Sequence, residues 1–309
     1  MAKSSTKAIK GGLMYSSTGD KIFDTFNYII LFIIMALVLY PLVFVLSASV
    51  SDPIEVVTGR VVLWPRGFTL DSYSRVFSNP TIIRGYANSI FYTILGTSLS
   101  MILTTFAAFA LSRPDLRGRK FFTVMITLTM FFSGGMIPTY LAMKSFGLLN
   151  SPFAVIFPGA VNVTNLIIAR TYFATSIPWE LQEAATIDGC SNTGLFLKIV
   201  LPLSMPIVAV IALYYLVGHW NAYFNALIYL SNEKLYPLQL FLRNILLMDQ
   251  MTEMMEGDSE ALQALMRRLQ LKESMKYGIV VLSSLPVLVI YPFLQKYFVK
   301  GMMIGAIKG

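Results

Sequence analysis

The chain has 309 residues, of which 56% are hydrophobic and 13% charged, with a formal net charge of +8 and a mean hydropathy of +0.66. A soluble domain carries about 25% charged residues, so these proportions exclude an ordinary soluble protein and point to a polytopic membrane protein. One cysteine, Cys190, excludes an internal disulfide, and one histidine, His219, excludes a histidine-cluster metal centre.

Six charge-free runs approach the ~20 residues that a spanning helix needs. They cover roughly 26–46, 89–111, 121–143, 153–168, 199–220 and 277–295. The bases sit at the ends of these runs, which fits membrane topology and gives no reason to expect nucleic acid.

In chain order, residues 1–25 form a tail that starts with Lys3, Lys7 and Lys10. The first run is longer than the about 7–15 residues of a signal-peptide core, so it is expected to remain as an anchor. Segment 47–87 carries Pro53, Pro65, Gly67 and Pro80 and is expected to cap the outer face. The tight loop with Arg113, Arg117, Arg119 and Lys120 is assigned to the inside by its positive charge. Residues 144–152 form a brief outer turn. The fourth run is short and is expected to continue toward Tyr172, with Arg170 snorkelling to the interface. Residues 174–198 form a candidate docking loop. Residues 221–276 form an outer insert with two amphipathic helices, one through Leu238, Phe241, Leu242 and Ile245, the other through Ala261, Leu262, Leu265 and Leu269. An even number of spans places both ends inside, so residues 298–309 form a second cytoplasmic tail and 26–297 the membrane domain. Pro41, Pro138, Pro206, Pro286 and Pro292 lie inside runs, where each is a candidate kink.

The docking loop has a physical logic of its own. Pro178 suits a helix start. Glu180 and Glu183 then lie near the positive end of the helix dipole. Ala184 and Ala185 are small, so a partner can approach the backbone closely. Gly189 can take the left-handed conformation that ends such a helix. A second segment, 193–200, leads into the fifth run. The expected result is a short helix across the membrane surface, followed by a sharp turn.

The spacing Glu183-Ala184-Ala185, three residues, Gly189, nine residues, Ile199-Val-Leu201-Pro202 resembles the EAA loop of ABC-importer permeases. The likeness extends from about residue 68 to 309, through Asn88-Ser-Ile-Phe-Tyr-Thr, Phe132-Ser-Gly-Gly-Met-Ile-Pro-Thr-Tyr140, Gly218-His-Trp-Asn221, Tyr236-Pro-Leu-Gln-Leu240 and the tail that starts at Lys300. On these stretches the chain resembles the MalG-type permeases of carbohydrate-uptake ABC importers, especially the LplC/YtcP group. The resemblance implies an all-α membrane protein with six transmembrane helices, the MetI-like fold of type I ABC importers, and a cytoplasmic coupling helix. It implies a second homologous permease, two cytoplasmic ATPase subunits and an external sugar-binding protein, in the plasma membrane of a bacterium. The coupling role carries over onto Glu183, Ala184, Ala185, Asp188 and Gly189, followed by Ile199, Leu201 and Pro202.

Absences narrow the function. No Gly-x-x-x-x-Gly-Lys-[Ser/Thr] occurs, so the chain has no P-loop. No cofactor is expected on it; ATP and Mg are expected on partner subunits. The first alternative is an ion-coupled secondary transporter; the runs hold no Asp, Glu, Lys or Arg, which argues against a proton relay and leaves sodium coupling through neutral oxygens open. A membrane enzyme, the second, needs a convergent acid, base or metal cluster, and none is visible. The acids Asp249, Glu253, Glu256, Asp258 and Glu260 are spaced as a solvated loop.

An oligosaccharide would be held by uncharged polar and aromatic side chains within spans. The candidates are Asn162 and Asn165, three apart on one helix face, the cluster Trp220, Asn221 and Tyr223, and Tyr140 after Pro138. Interhelical packing is the competing role for each.

Overall fold

A computed structural model describes residues 18–252 and 275–292, with backbone alone for 247–252. The N-terminal lysines, the second amphipathic helix of the insert, the acids from Glu253 to Glu260 and the tail 298–309 lie outside the described residues. Every regular element among the described residues is helical.

Helix α1 (Thr18–Ser49) runs unbroken through Pro41, and none of its apolar window is buried against the rest of the chain. Its C-terminal end is held: Ser47 donates to the Leu63 carbonyl, and Ser49 shares a 2.8 Å hydrogen bond with Tyr73. A 32-residue helix this apolar and this exposed needs lipid or another chain around it. Beside its end lie α2 (Pro53–Val57), capped by Asp52, and α3 (Asp71–Ser78).

Helix α4 (Pro80–Ser112) is the axis of the fold. Ser89, Thr93, Gly96, Ser100, Thr104 and Ala108 recur at helical spacing on its buried face. Small and hydroxyl side chains of this kind let other helices come close inside a membrane. A Cβ on Gly96 would stand 2.7 Å from the His219 ring, so that contact requires glycine. Thr104 and Tyr215 share a 2.6 Å hydrogen bond, and Ser100 and the His219 Nε2 one of 3.2 Å.

The third and fourth runs are not single helices, as the six-run expectation had them. The third is α5 (Arg119–Leu128) and α6 (Met136–Ser145), parted by a stretch that ends at Gly135 with φ +86°. The fourth is α7 (Phe153–Ile156) and α8 (Val163–Ser176). Pro158 and Gly159 (φ +80°) turn the chain between them, and Asn162 caps α8 by accepting from the Asn165 amide at 3.1 Å. As expected, α8 continues past Tyr172. Arg170 donates to the Leu111 carbonyl at 3.1 Å and so caps the end of α4.

After α9 (Trp179–Ile187) come α10 (Asn192–Leu195), a π-type stretch (Phe196–Val200) and α11 (Leu201–Leu203). Helix α12 (Met205–Trp220) leaves this segment at 87°. Pro206 sits two residues past the break at Ser204 and cannot donate back into the preceding turn, which ends it there. The remaining elements are α13 (Phe224–Tyr229), a 3-10 turn (Glu233–Leu235), α14 (Leu238–Thr252), which is the first amphipathic helix of the insert, and α15 (Met275–Pro292).

Helices α8, α12 and α14 all pack on α4. At one end of α4, Asn88 donates to the carbonyls of Lys234 and Tyr236, and Tyr92 donates to that of Leu235. Val76, Ile82, Trp220, Leu238 and Ile279 cluster there too. At the other end lie the loop after Ser112, α9 and α10. Among the described residues, the parts of 47–87, 144–152 and 221–276 therefore gather at one end of the axis, and the loops 113–120 and 174–198 at the other.

Candidate functional site

Helix α9 forms a knob whose geometry follows from its residues. Pro178 lies at its N-cap, one position before the first helical residue. Trp179 donates its indole N–H to Glu183 at 2.6 Å, one turn later. The end of the helix closes with two bonds: Gly189 N–H to the Thr186 carbonyl at 3.0 Å, and Cys190 N–H to the Ala185 carbonyl at 2.9 Å. That pairing is the Schellman stop, and it demands the left-handed backbone that Gly189 adopts at φ +76°.

The two alanines separate. Ala184 is exposed, whereas Ala185 is 8% exposed and packs into the chain's own core with Phe173, Phe196 and Val200. Ala185 therefore anchors the knob from within the chain, whereas the sequence had both alanines open to a close approach. The free face presents Glu180, Leu181, Glu183, Ala184, Ile187 and Asp188, with Ile187 at 85% exposure. Ile199 and Leu201 pack against the same core cluster, and Pro202 is exposed in α11.

Arg113 holds the knob to the axis. Its guanidinium donates to Asn192 Oδ1 at 3.0 Å and lies over the rings of Trp179 and Phe109 at 5.6 Å and 5.8 Å. It also forms a bidentate pair with Asp115, at 2.8 Å and 2.6 Å. That hydrogen-bonded pair holds the Asp115 carboxyl below the usual carboxylate range and raises the Arg113 pKa. Nothing in the sequence pattern singles out Arg113 from the other bases of its loop.

A second feature lies between α8 and α12. It is an open cleft of about 560 Å³ whose walls include Asn162, Thr164, Asn165, Tyr214, His219 and Asn225. The hydroxyl of Tyr215 ties its floor: it accepts from the Asn162 amide at 2.9 Å and pairs with Thr104 on α4. Asn162 and Asn165 both line the cleft, but Asn162 does so from the extended cap position before α8 and not from a helical turn, as the spacing alone would have it. The other path candidates do not line it. Trp220 is 3% exposed, donates to the Ser283 carbonyl at 2.8 Å and packs edge-on against Tyr86, so it is a packing residue. Tyr140 stacks on Tyr229 in another cluster. Asn221 and Tyr223 are exposed past the end of α12, and Asn221 donates to the Val217 carbonyl of its own helix. Tyr214, Tyr215 and Asn225 escaped sequence reasoning because polar residues of a span carry no mark of which face they take. The lone histidine and a glycine inside a span were the available signals for the His219–Gly96 contact.

Among the described residues no group of three or more His, Cys, Asp or Glu side chains is placed to hold a metal ion.

Residues 95–304 match the family model described as binding-protein-dependent transport system inner membrane component. The chain is 39% identical over 296 residues to Protein LplC of Bacillus subtilis (strain 168), covering 96% of this chain and 98% of that one. It is 40% identical over 295 residues to the polygalacturonan/rhamnogalacturonan transport system permease protein YtcP of the same organism, covering 94% and 99%. Among solved structures it is similar to a chain from a bacterial ABC transporter involved in the import of the acidic polysaccharide alginate. That match has a TM-score of 0.82 and 36% identity, and it covers 91% of this chain and 98% of the other.

Proposed function

The chain belongs to the binding-protein-dependent transport system inner membrane components, the permeases of ABC importers, and on that premise we propose that it carries an oligosaccharide across the bacterial plasma membrane. The observation that supports this most is the pairing of an exposed, capped knob at one end of α4 with a polar cleft between the helices above it. The relatives named for polygalacturonan and alginate transport favour an acidic oligosaccharide as the cargo.

In this reading α9 enters a groove on a cytoplasmic ATPase. Its rigidity comes from the Schellman stop and from Arg113, so a displacement of α9 is passed to α4 and α10 together. The chain contributes no nucleotide chemistry; two ATPase subunits hold ATP and Mg. A second, related permease faces the cleft, and an external binding protein delivers the sugar to the end of α4 where Asn88 and Tyr92 hold the Lys234–Tyr236 turn. Both chain termini lie on the cytoplasmic side.

The test is uptake by liposomes that contain the complex purified through a tag on this chain, with ATP enclosed and binding protein outside. Uptake of an acidic oligosaccharide that needs ATP supports the assignment. ATP-independent uptake driven by an ion gradient would revive the secondary-transporter alternative.

A further inference from the structure

We propose that the cleft between α8 and α12 holds the carboxylate of a uronosyl residue at the N-terminus of α8. The inference rests on the oligosaccharide reading above and assigns the charged group of the cargo to a place on this chain.

Helix α8 is 14 residues long, and its first turn opens into the cleft through Asn162, Thr164 and Asn165. Among the described residues, the Val163 and Thr164 amides have no acceptor. Free amides at the positive end of a helix dipole are suited to an anion.

The second observation is the Asn165 side chain. Asn165 is 7% exposed, yet its side chain lines the cleft and has no hydrogen-bond partner among the described residues. The amide is not among the buried side-chain atoms that lack a partner, so what remains accessible of this side chain faces the cleft, where its NH₂ can donate to a ligand oxygen. Its NH₂ group and the two free main-chain amides are donors, which a carboxylate, an acceptor alone, satisfies fully.

The lining excludes competitors for that anion. No Asp or Glu lies among the cleft residues, so nothing repels a carboxylate. No Lys or Arg lies there either, so the anion would not be trapped by a full opposite charge and could move on. His219 is engaged already: its Nε2 meets Ser100 and its ring presses on Gly96. Tyr214, 52% exposed at the cleft wall, offers a ring face to the sugar beside the carboxylate.

The test uses the assembled complex and two cargoes: a uronate trisaccharide and its carboxyl-reduced, neutral counterpart. Asn162→Asp is the chosen variant, because Asp caps a helix as well as Asn does. A purely structural role for Asn162 predicts no change in preference. The carboxylate subsite predicts that the uronate-to-neutral uptake ratio falls about tenfold, the scale of a helix-end charge interaction. Asn165→Leu, which removes that donor, should shift the ratio the same way. An unchanged ratio in both variants, or equal loss of both cargoes, overturns the proposal. If the unmodified complex imports both cargoes equally, the oligosaccharide reading stands and the carboxylate subsite falls. If it imports neither, the oligosaccharide reading itself falls, and this inference with it.

Discussion

Arg113 and Asn192 are joined by a 3.0 Å hydrogen bond, from guanidinium Nη1 to amide Oδ1. The first residue follows the end of α4 and the second begins α10, so the bond spans the knob from the axis to its far side. With the Trp179 ring under the same guanidinium, one side chain touches both flanks of α9. An arginine can do this because its planar fork makes directed bonds in several directions and its face stacks on aromatic rings; lysine cannot.

Arg113→Ala should therefore loosen α9 without unfolding the membrane domain. In liposomes, ATP hydrolysis should persist while sugar moved per ATP falls several-fold. Arg113→Lys should recover the charge but not the coupling ratio. Equal loss of hydrolysis and uptake would show that Arg113 serves assembly alone.

The Arg113–Asp115 pair also sets a pH expectation. The hydrogen bond from Arg113 lowers the Asp115 pKa, so the pair's contribution is present above the unfolded carboxylate value of about 4. It is lost as pH falls through the lower, folded value. Coupling measured between pH 5 and 8 should show no step that Asp115→Asn removes. Such a step would mean the pair titrates higher than this geometry allows.

Ala184 and Ala185 should respond oppositely to the same substitution. Ala185→Glu places an unpaired charge in the core, a cost of several kcal/mol, and should reduce the amount of folded protein in the membrane. Ala184→Glu should leave that amount unchanged and lose the ATPase on purification. Quantifying membrane protein and co-purified ATPase for both variants decides it. Normal pull-down with Ala184→Glu would remove α9 as the docking face.

At Gly189 a Cβ would meet no atom within 4 Å, so only the backbone conformation resists substitution. Gly189→Ala should lower stability by about 1 kcal/mol, and a β-branched valine by more, with a matching loss of uptake. At Gly96 the opposite holds: a Cβ would collide with His219. Gly96→Ala should cost about 1–3 kcal/mol as an overpacked contact, whereas Gly134→Ala, with its nearest atom 3.8 Å away, should be tolerated. Thermal unfolding of the purified complex compares them.

The all-helical membrane class was legible because spans are long apolar runs, and the short helix Trp179–Ile187 with its stop at Gly189 because Pro178, the alanines and the glycine sit at fixed intervals. Breaks within runs were less legible. Pro41 and Pro206 were flagged alike as candidate kinks, yet Pro41 lies in an unbroken helix while Pro206 accompanies an 87° bend. A proline marks a missing donor, and neighbouring packing decides whether the helix bends. Burial within α9 was not legible either. Ala184 and Ala185 are identical in the sequence, and only the core cluster around Phe196 separates them. Trp220 resembles a sugar platform in composition, but its indole N–H is already used by the Ser283 carbonyl.

The central claim is that α9 is the surface through which the ATPase drives this chain. Cysteine cross-linking in the assembled complex tests it most directly, in a Cys190→Ser background that removes the one native thiol. Ile187→Cys lies on the exposed knob, at 85% exposure, and Trp64→Cys, at 82%, lies beside the end of α1 in the segment read as outer. The account predicts a cross-link from position 187 to the ATPase and none from position 64. A cross-link from position 64, or its absence from position 187 in a complex that still transports, would contradict it.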